Sequence, residues 1–263
     1  MRYVIVVIGC KGRHFEPKSG AVFDRINLKT DAVYNFLLML GLILFCCLFS
    51  SIHTNQPFMN LSYLALGDSY TVGECVPAAE CFPALAAAQL RAAGVAIDEP
   101  RIIAVTGWTT DELQAGIQQA GIQGNQYDFV SLLIGVNNQY RGRSVEEYKT
   151  QFTGLLEQAI GFCKKGAAQV VVLSIPDWGV TPFAADRDAA QIAREIDLYN
   201  SCNKAIAAQY HVRYVDITPF TREAKSDPSL LASDGLHPSG KDYSRWAALL
   251  SPLFKEMISG KQP

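Results

Sequence analysis

The chain has 263 residues, of which 49% are hydrophobic and 18% charged, with a formal net charge of −2. That apolar content supplies a sizeable core and excludes a disordered or fibrous chain. No basic stripe or long charge run is present, which argues against nucleic acid as a partner, and no fixed-period repeat marks a solenoid.

Residues 1–58 read differently from the rest. They hold two apolar runs, Tyr3–Ile8 and Phe36–Phe49. The second is shorter than the roughly 20 residues that span a bilayer and suits a signal-peptide core of roughly 7–15 residues. Arg2, Lys11, Arg13, Lys18, Arg25 and Lys29 precede it, and no Lys or Arg lies between Ser50 and Gly67. This asymmetry predicts a cytoplasmic N-terminus and an exported or membrane-anchored domain, with membrane contact through the N-terminal segment. Glu16, Asp24 and Asp31 dilute the charge, and Leu48-Phe-Ser50 is a poor cleavage site. The alternative is a start at Met59, which would yield a complete cytoplasmic domain. In both readings the folded domain covers 59–263.

From Leu61 the chain alternates apolar runs with amphipathic stretches. Ser62–Leu66, Arg101–Val105, Phe129–Ile134, Gln169–Ser174 and Val212–Asp216 are rich in Val, Ile and Leu without polar alternation. Such runs predict strands of a parallel sheet covered on both faces. A first helix runs from Pro83 to Gly94, with proline inside its start and glycine past its end. Thr109-Thr-Asp-Glu112 and Ser144-Val-Glu-Glu147 are capping boxes, and the helix after the second is predicted to stop near Gly166. Two more helices cover about 188–208 and 241–258. Five strands alternating with helices predict a doubly wound α/β layer, whose sites form at the carboxyl ends of the strands. Cys75 and Cys81 flank a short loop, either as a disulfide in an exported chain or as two thiols. No Cys/His spacing suits zinc.

The polar residues with chemistry to offer fall on that predicted edge. Ser69 follows the first strand, where a sharp turn can lift its hydroxyl above the sheet; a serine there could equally cap a helix. His237 sits between Leu236 and Pro238, with Asp234 three residues before it. A turn can bring that carboxylate to one ring nitrogen, leaving the other to take the proton of a nucleophile. Gly107 follows the second strand and Asn137 the third. The first can offer a close backbone N–H and the second an amide, as an oxyanion hole requires. Each alone could be a plain turn residue. Trp108, Tyr140, Trp178 and Phe183 lie in loops on the same edge and could line a substrate pocket or cover core. Asp68 could brace the serine loop. Arg141 and Arg143 are solvated, or meet an anionic group.

Tyr63-Leu-Ala-Leu-Gly-Asp-Ser-Tyr-Thr71, Gly107, Gly135-Val-Asn137 and Asp234-Gly-Leu-His237 resemble, in order, the four blocks of the SGNH (GDSL-type) hydrolases. Tyr70 stands where the first block often has leucine, and Asn138 where aspartate is common. The resemblance implies a flavodoxin-like three-layer α/β/α sandwich with a five-stranded parallel sheet. It implies a Ser69–His237–Asp234 triad, and an oxyanion hole from Ser69, Gly107 and Asn137. It also implies a small-molecule ester as substrate and no cofactor. Hydrolysis of a short-chain ester, lipid or lysophospholipid leads, with carbohydrate acetylesterase or thioesterase activity as alternatives and a binding module without turnover as the reading of another class. The α/β-hydrolase pattern fits less well, because its Gly-x-Ser-x-Gly elbow is absent here. Nothing in the sequence sets the oligomeric state.

Overall fold

The computed structural model describes residues 60–260 and, before them, Phe36, Leu38 and Met39, which are helical. The chain falls into two units, Met1–Pro57 and Phe58–Pro263, and the second carries the fold below. The basic N-terminal stretch, the cleavage site and Met59 lie outside the described residues, as does the apolar run Phe36–Phe49 apart from those three positions. Among the described residues no helix is long and apolar enough to cross a membrane.

Five strands form one sheet: β1 (Tyr63–Gly67), β2 (Arg101–Ala104), β3 (Phe129–Leu133), β4 (Val170–Leu173) and β5 (Arg213–Val215). All pairings are parallel, in the order β2-β1-β3-β4-β5. Every residue of β1, β3 and β4 is buried, whereas the edge strands β2 and β5 are partly exposed. The unbroken Val, Ile and Leu runs follow from this, since an interior parallel strand has no solvent face.

The helices are α1 (Ser69–Val72), α2 (Phe82–Ala92), α3 (Thr110–Gln119), α4 (Val136–Tyr140), α5 (Val145–Gly161), α6 (Ala189–Gln209), α7 (Thr218–Arg222) and α8 (Gly240–Ile258). α2 packs against α8, and Phe254 of α8 reaches the sheet at Tyr63 and Phe129, with ring centroids 5.1 and 4.6 Å apart. α5 lies between α3 and α6 in the second helical layer. The result is the expected α/β/α sandwich.

The first capping box closes, the Glu112 carboxylate accepting from the Thr109 N–H at 2.8 Å; of the second only the Ser144 half forms, its hydroxyl accepting from the Glu147 N–H at 3.1 Å, while the Glu147 carboxylate turns to Arg143 and Gln151. α5, however, ends at Gly161, short of the expected stop near Gly166. The chain there turns to pair with Tyr127, whose N–H donates to the Phe162 carbonyl and whose carbonyl accepts from the Lys164 N–H, each at 2.8 Å. Gly166, at φ 61°, instead opens the short turn that leads into β4. Cys75 is an exposed thiol and Cys81 a buried one.

The strand order positions the site. β2 lies on one side of β1 and β3 on the other, so successive connections leave the carboxyl ends of β1 and β3 in opposite directions. That reversal opens the crevice in which ligands of open α/β sheets bind.

Candidate active site

β1 ends at Gly67 on the floor of this crevice. A Cβ at Gly67 would sit 2.1 Å from Thr71 Oγ1 and 2.5 Å from the Leu133 carbonyl oxygen. Only glycine lets β1 turn straight into α1 beside the end of β3. Asp68 caps this one-turn helix, its carboxylate accepting from the Tyr70 N–H at 3.1 Å. The other carboxylate oxygen lies 3.4 Å from Asn137 Nδ2. Burial pushes the Asp68 carboxyl up to about 7, against the lowering effect of these hydrogen bonds. Ser69 is the next residue and is nearly buried.

The loop before α8 turns at Gly235, which adopts φ 66°. Asp234 Oδ1 accepts from the N–H groups of Leu236 and His237, both at 3.0 Å. The carboxylate is thereby locked onto its own loop, and Oδ2 lies 2.6 Å from His237 Nδ1. Across the ring, His237 Nε2 lies 2.9 Å from Ser69 Oγ. Partial burial acts to raise the Asp234 carboxyl, but the His237 side chain and the two backbone N–H groups outweigh it and hold it below the usual carboxylate range. An ionised carboxylate at Nδ1 favours the tautomer with its proton there, which leaves the Nε2 lone pair facing the hydroxyl. The Tyr70 ring tilts over the imidazole with centroids 4.8 Å apart.

A cleft of about 190 Å³ opens above Ser69 and His237, and Gly107 and Asn137 line it with them. Its remaining walls are Thr106, Val136, Tyr140, Trp178, Phe183 and Leu236, together with the Tyr70 ring. Tyr140, Trp178 and Phe183 form one aromatic cluster with centroids 5.2 to 6.2 Å apart. Trp178 is the buried member, anchored by its Nε1–H donating to Gln139 Oε1 at 2.7 Å. Tyr140 and Phe183 are exposed at the mouth.

The structure thus brings Ser69, His237 and Asp234 into one hydrogen-bonded line and gathers Gly107, Asn137, Tyr140 and Trp178 around it. Trp108 is a correction: it does not line the cleft. Its indole lies over α3, where Cη2 stands 2.0 Å from the point a Cβ would occupy on Gly116. The missing side chain in mid-helix is the room the indole fills, and that glycine was the readable signal. Arg143 pairs with Asp111 and Glu147 at 2.6 and 3.2 Å, away from the cleft. Asn138 is also structural: it accepts from the Thr110 N–H at 3.1 Å and donates to its hydroxyl at 2.7 Å. Thr106, Val136 and Leu236 carry no chemical signature of their own, and only their adjacency to Gly107, Asn137 and His237 pointed to them.

The GDSL-like lipase/acylhydrolase family matches residues 65–245 of this chain. Among solved structures, TesA superposes with a TM-score of 0.59 at 19% identity, covering 74% of this chain and 99% of its own. The lipase/acylhydrolase from Enterococcus faecalis gives 0.57 at 19% identity, covering 76% and 96%. The acetylxylan esterase from Geobacillus stearothermophilus gives 0.53 at 21%, covering 76% and 96%. A search of curated proteins finds no match. These structural likenesses are likenesses of fold, whereas the family match spans most of the chain and includes Gly67-Asp-Ser-Tyr-Thr71 and the segments of the other three motifs. The chain belongs to the GDSL-like lipase/acylhydrolase family and is an ester-hydrolysing enzyme.

Proposed function

We propose that this enzyme cleaves carboxylic esters through an acyl-enzyme on Ser69. The observation that carries the reading is the line from Asp234 through His237 to Ser69, with contacts of 2.6 and 2.9 Å, at the floor of the cleft. His237 Nε2 takes the Ser69 proton as Oγ bonds to the ester carbonyl carbon. The carbonyl oxygen becomes an oxyanion, held by the backbone N–H groups of Ser69 and Gly107 and by the Asn137 amide hydrogen that otherwise makes only the long 3.4 Å contact with Asp68. The imidazolium, stabilised by Asp234, then gives its proton to the departing alkoxide as the C–O bond breaks. Water repeats the sequence, releasing the carboxylic acid and restoring Ser69.

None of the side chains lining the cleft carries a fixed charge. An apolar, aromatic-walled cleft of this kind favours a neutral ester with an acyl or aryl group to lay against Tyr140 and Phe183. A second reading, removal of acetyl groups from a carbohydrate, draws on the same two exposed rings, whose flat faces can stack on a sugar. Rates on p-nitrophenyl esters of rising acyl length, set beside an acetylated sugar, separate the two. Ser69→Ala is expected to abolish turnover and labelling by a fluorophosphonate; a Ser69→Ala protein that still hydrolyses esters at the parent rate rejects the mechanism. We read residues 1–58 as an export signal or anchor, for which mass spectrometry of the native N-terminus is the test; a mature chain beginning at Met59 in the cytoplasm would reject it.

A further inference from the structure

Gly107 occupies a turn whose type decides where its N–H points. The Trp108 N–H donates to the Val105 carbonyl at 3.2 Å, so Thr106 and Gly107 are the central residues of a β-turn. Gly107 has φ 85°, and Thr106 is not among the residues with positive φ. This is a type II turn. A type I turn closes the same hydrogen bond with its central peptide flipped over. Here that central peptide joins Thr106 to Gly107, so its N–H is the Gly107 donor itself. A flip would swing that donor from one side of the turn to the other while leaving the chain path almost unchanged. Glycine tolerates both forms.

Two side chains hold this turn, Asn137 in α4 and Arg141 directly after its end. Arg141 Nη2 donates to the Gly107 carbonyl at 2.6 Å, and Asn137 Nδ2 donates to the Trp108 carbonyl at 3.0 Å. The two residues are four apart, hence on one face of the helical turn, and they hold successive carbonyls. Arg141 is itself held by Glu112, at 3.2 Å from Nη1, and Glu112 is fixed by its bond to the Thr109 N–H. At the other end of the turn, the Thr106 hydroxyl is hydrogen-bonded to Glu74. Arg141 does not line the cleft. Among the described residues the Gly107 N–H has no protein acceptor, as a donor reserved for substrate requires.

We propose that Arg141 is a positioning residue for the oxyanion hole: by anchoring the Gly107 carbonyl it fixes where the 105–108 turn sits against α4, and with it the Gly107 N–H at the cleft. This rests on the proposed attack of Ser69 on an ester whose oxyanion Gly107 receives. Without the anchor the turn shifts from this position, and the hole has a misplaced donor for that fraction of the time. Complete loss of a donor costs about 10²–10³ in kcat, so Arg141→Met is expected to lower kcat about tenfold or more, with KM within about twofold of the parent.

The decisive measurement is the affinity for a trifluoromethyl ketone, whose adduct with the serine places an oxyanion in the hole. In Arg141→Met that affinity should fall by the same factor as kcat. Arg141→Lys, which keeps a donor, should recover part of both. Arg143→Met, whose cation pairs with carboxylates only, should leave both unchanged. Gly107→Ala reaches the turn by a second route. The new Cβ meets nothing closer than Arg141 Nη2 at 3.7 Å, yet alanine disfavours positive φ. It should reproduce the defect, and the double variant should be no worse than the more damaged single one. Parent-like kcat and ketone affinity in Arg141→Met overturn the proposal, as does a kcat loss with ketone affinity intact, or additivity with Gly107→Ala. A parent that neither hydrolyses esters nor is labelled at Ser69 removes the mechanism on which the proposal rests; an active parent with an unaffected Arg141→Met removes the proposal alone.

Discussion

At the scale of single residues, two carboxylates in one site are set to opposite tasks by their surroundings. Asp234 meets the imidazole and two backbone N–H groups and is held ionised. Asp234→Asn keeps the shape of the loop but presents an amide to Nδ1 and favours the wrong imidazole tautomer. We expect kcat to fall by about four orders of magnitude, with an unchanged circular dichroism spectrum. Retention of even a tenth of the activity would mean that His237 is oriented by something else. Asp68, by contrast, is sealed beneath Ser69, and burial carries its carboxyl from 3.8 up to about 7. Between those values the folded chain holds a proton there that the unfolded chain has released. Stability therefore falls as pH rises through this window and levels off above about 7. Asparagine caps a helix as well as aspartate and does not titrate. Thermal melts at pH 5 and pH 8 should show a larger drop for the parent than for Asp68→Asn, and equal drops in the two would remove Asp68 as the source. The same substitution sets an amide against Asn137 Nδ2, so a loss of kcat is expected beside the smaller drop between pH 5 and pH 8.

At the scale of elements, the long ones were legible and the short ones were not. The three interior strands announce themselves as apolar runs, because an interior parallel strand needs apolar side chains on both faces, and the edge strands β2 and β5 are legible as shorter runs of the same kind. α3 and α5 announce their starts through capping boxes. α1, α4 and α7 are four or five residues long, too short for any periodicity, yet α1 and α4 carry Ser69 and Asn137. They exist because a strand end must turn at once into a helix, and the glycines before them mark the need. Gly67→Ala tests this. The added methyl would meet the Leu133 carbonyl, which is backbone and cannot swing aside. Overpacking of this kind typically costs about 1–3 kcal/mol. We expect a lowered urea midpoint with an unchanged slope, and a separation of β1 from β3 that also weakens catalysis. Unchanged stability would show that the β1–α1 junction has slack. The position of Gly166 was misread for a related reason: a glycine after a helix looks like a stop, but here the stop is imposed earlier by pairing with Tyr127.

At the scale of the whole molecule, the site is a product of strand order. Ser69, Gly107 and Asn137 follow the ends of three consecutive strands, and His237 arrives from the last loop. Their convergence was legible because strand ends in a parallel sheet share one edge, whereas the direction of each side chain on that edge was not. Trp108 and Trp178 were indistinguishable as loop aromatics, and only packing against Gly116 or Gln139 separates them. Every residue of the proposed machinery lies from Ser69 onward, and the first strand of the sheet begins at Tyr63. A chain starting at Met59 therefore contains all five strands, both helical layers and the full cleft. We expect it to fold, with kcat/KM on a p-nitrophenyl ester within about twofold of the full-length protein and a melting temperature within a few degrees. The two proteins should differ instead in how they partition between buffer and lipid vesicles, because residues 1–58 hold the apolar run Phe36–Phe49 and the basic residues before it. Equal partitioning of both would dissociate the N-terminal segment from membranes, and a Met59 chain that folds but loses turnover would place part of the catalytic machinery before the sheet begins.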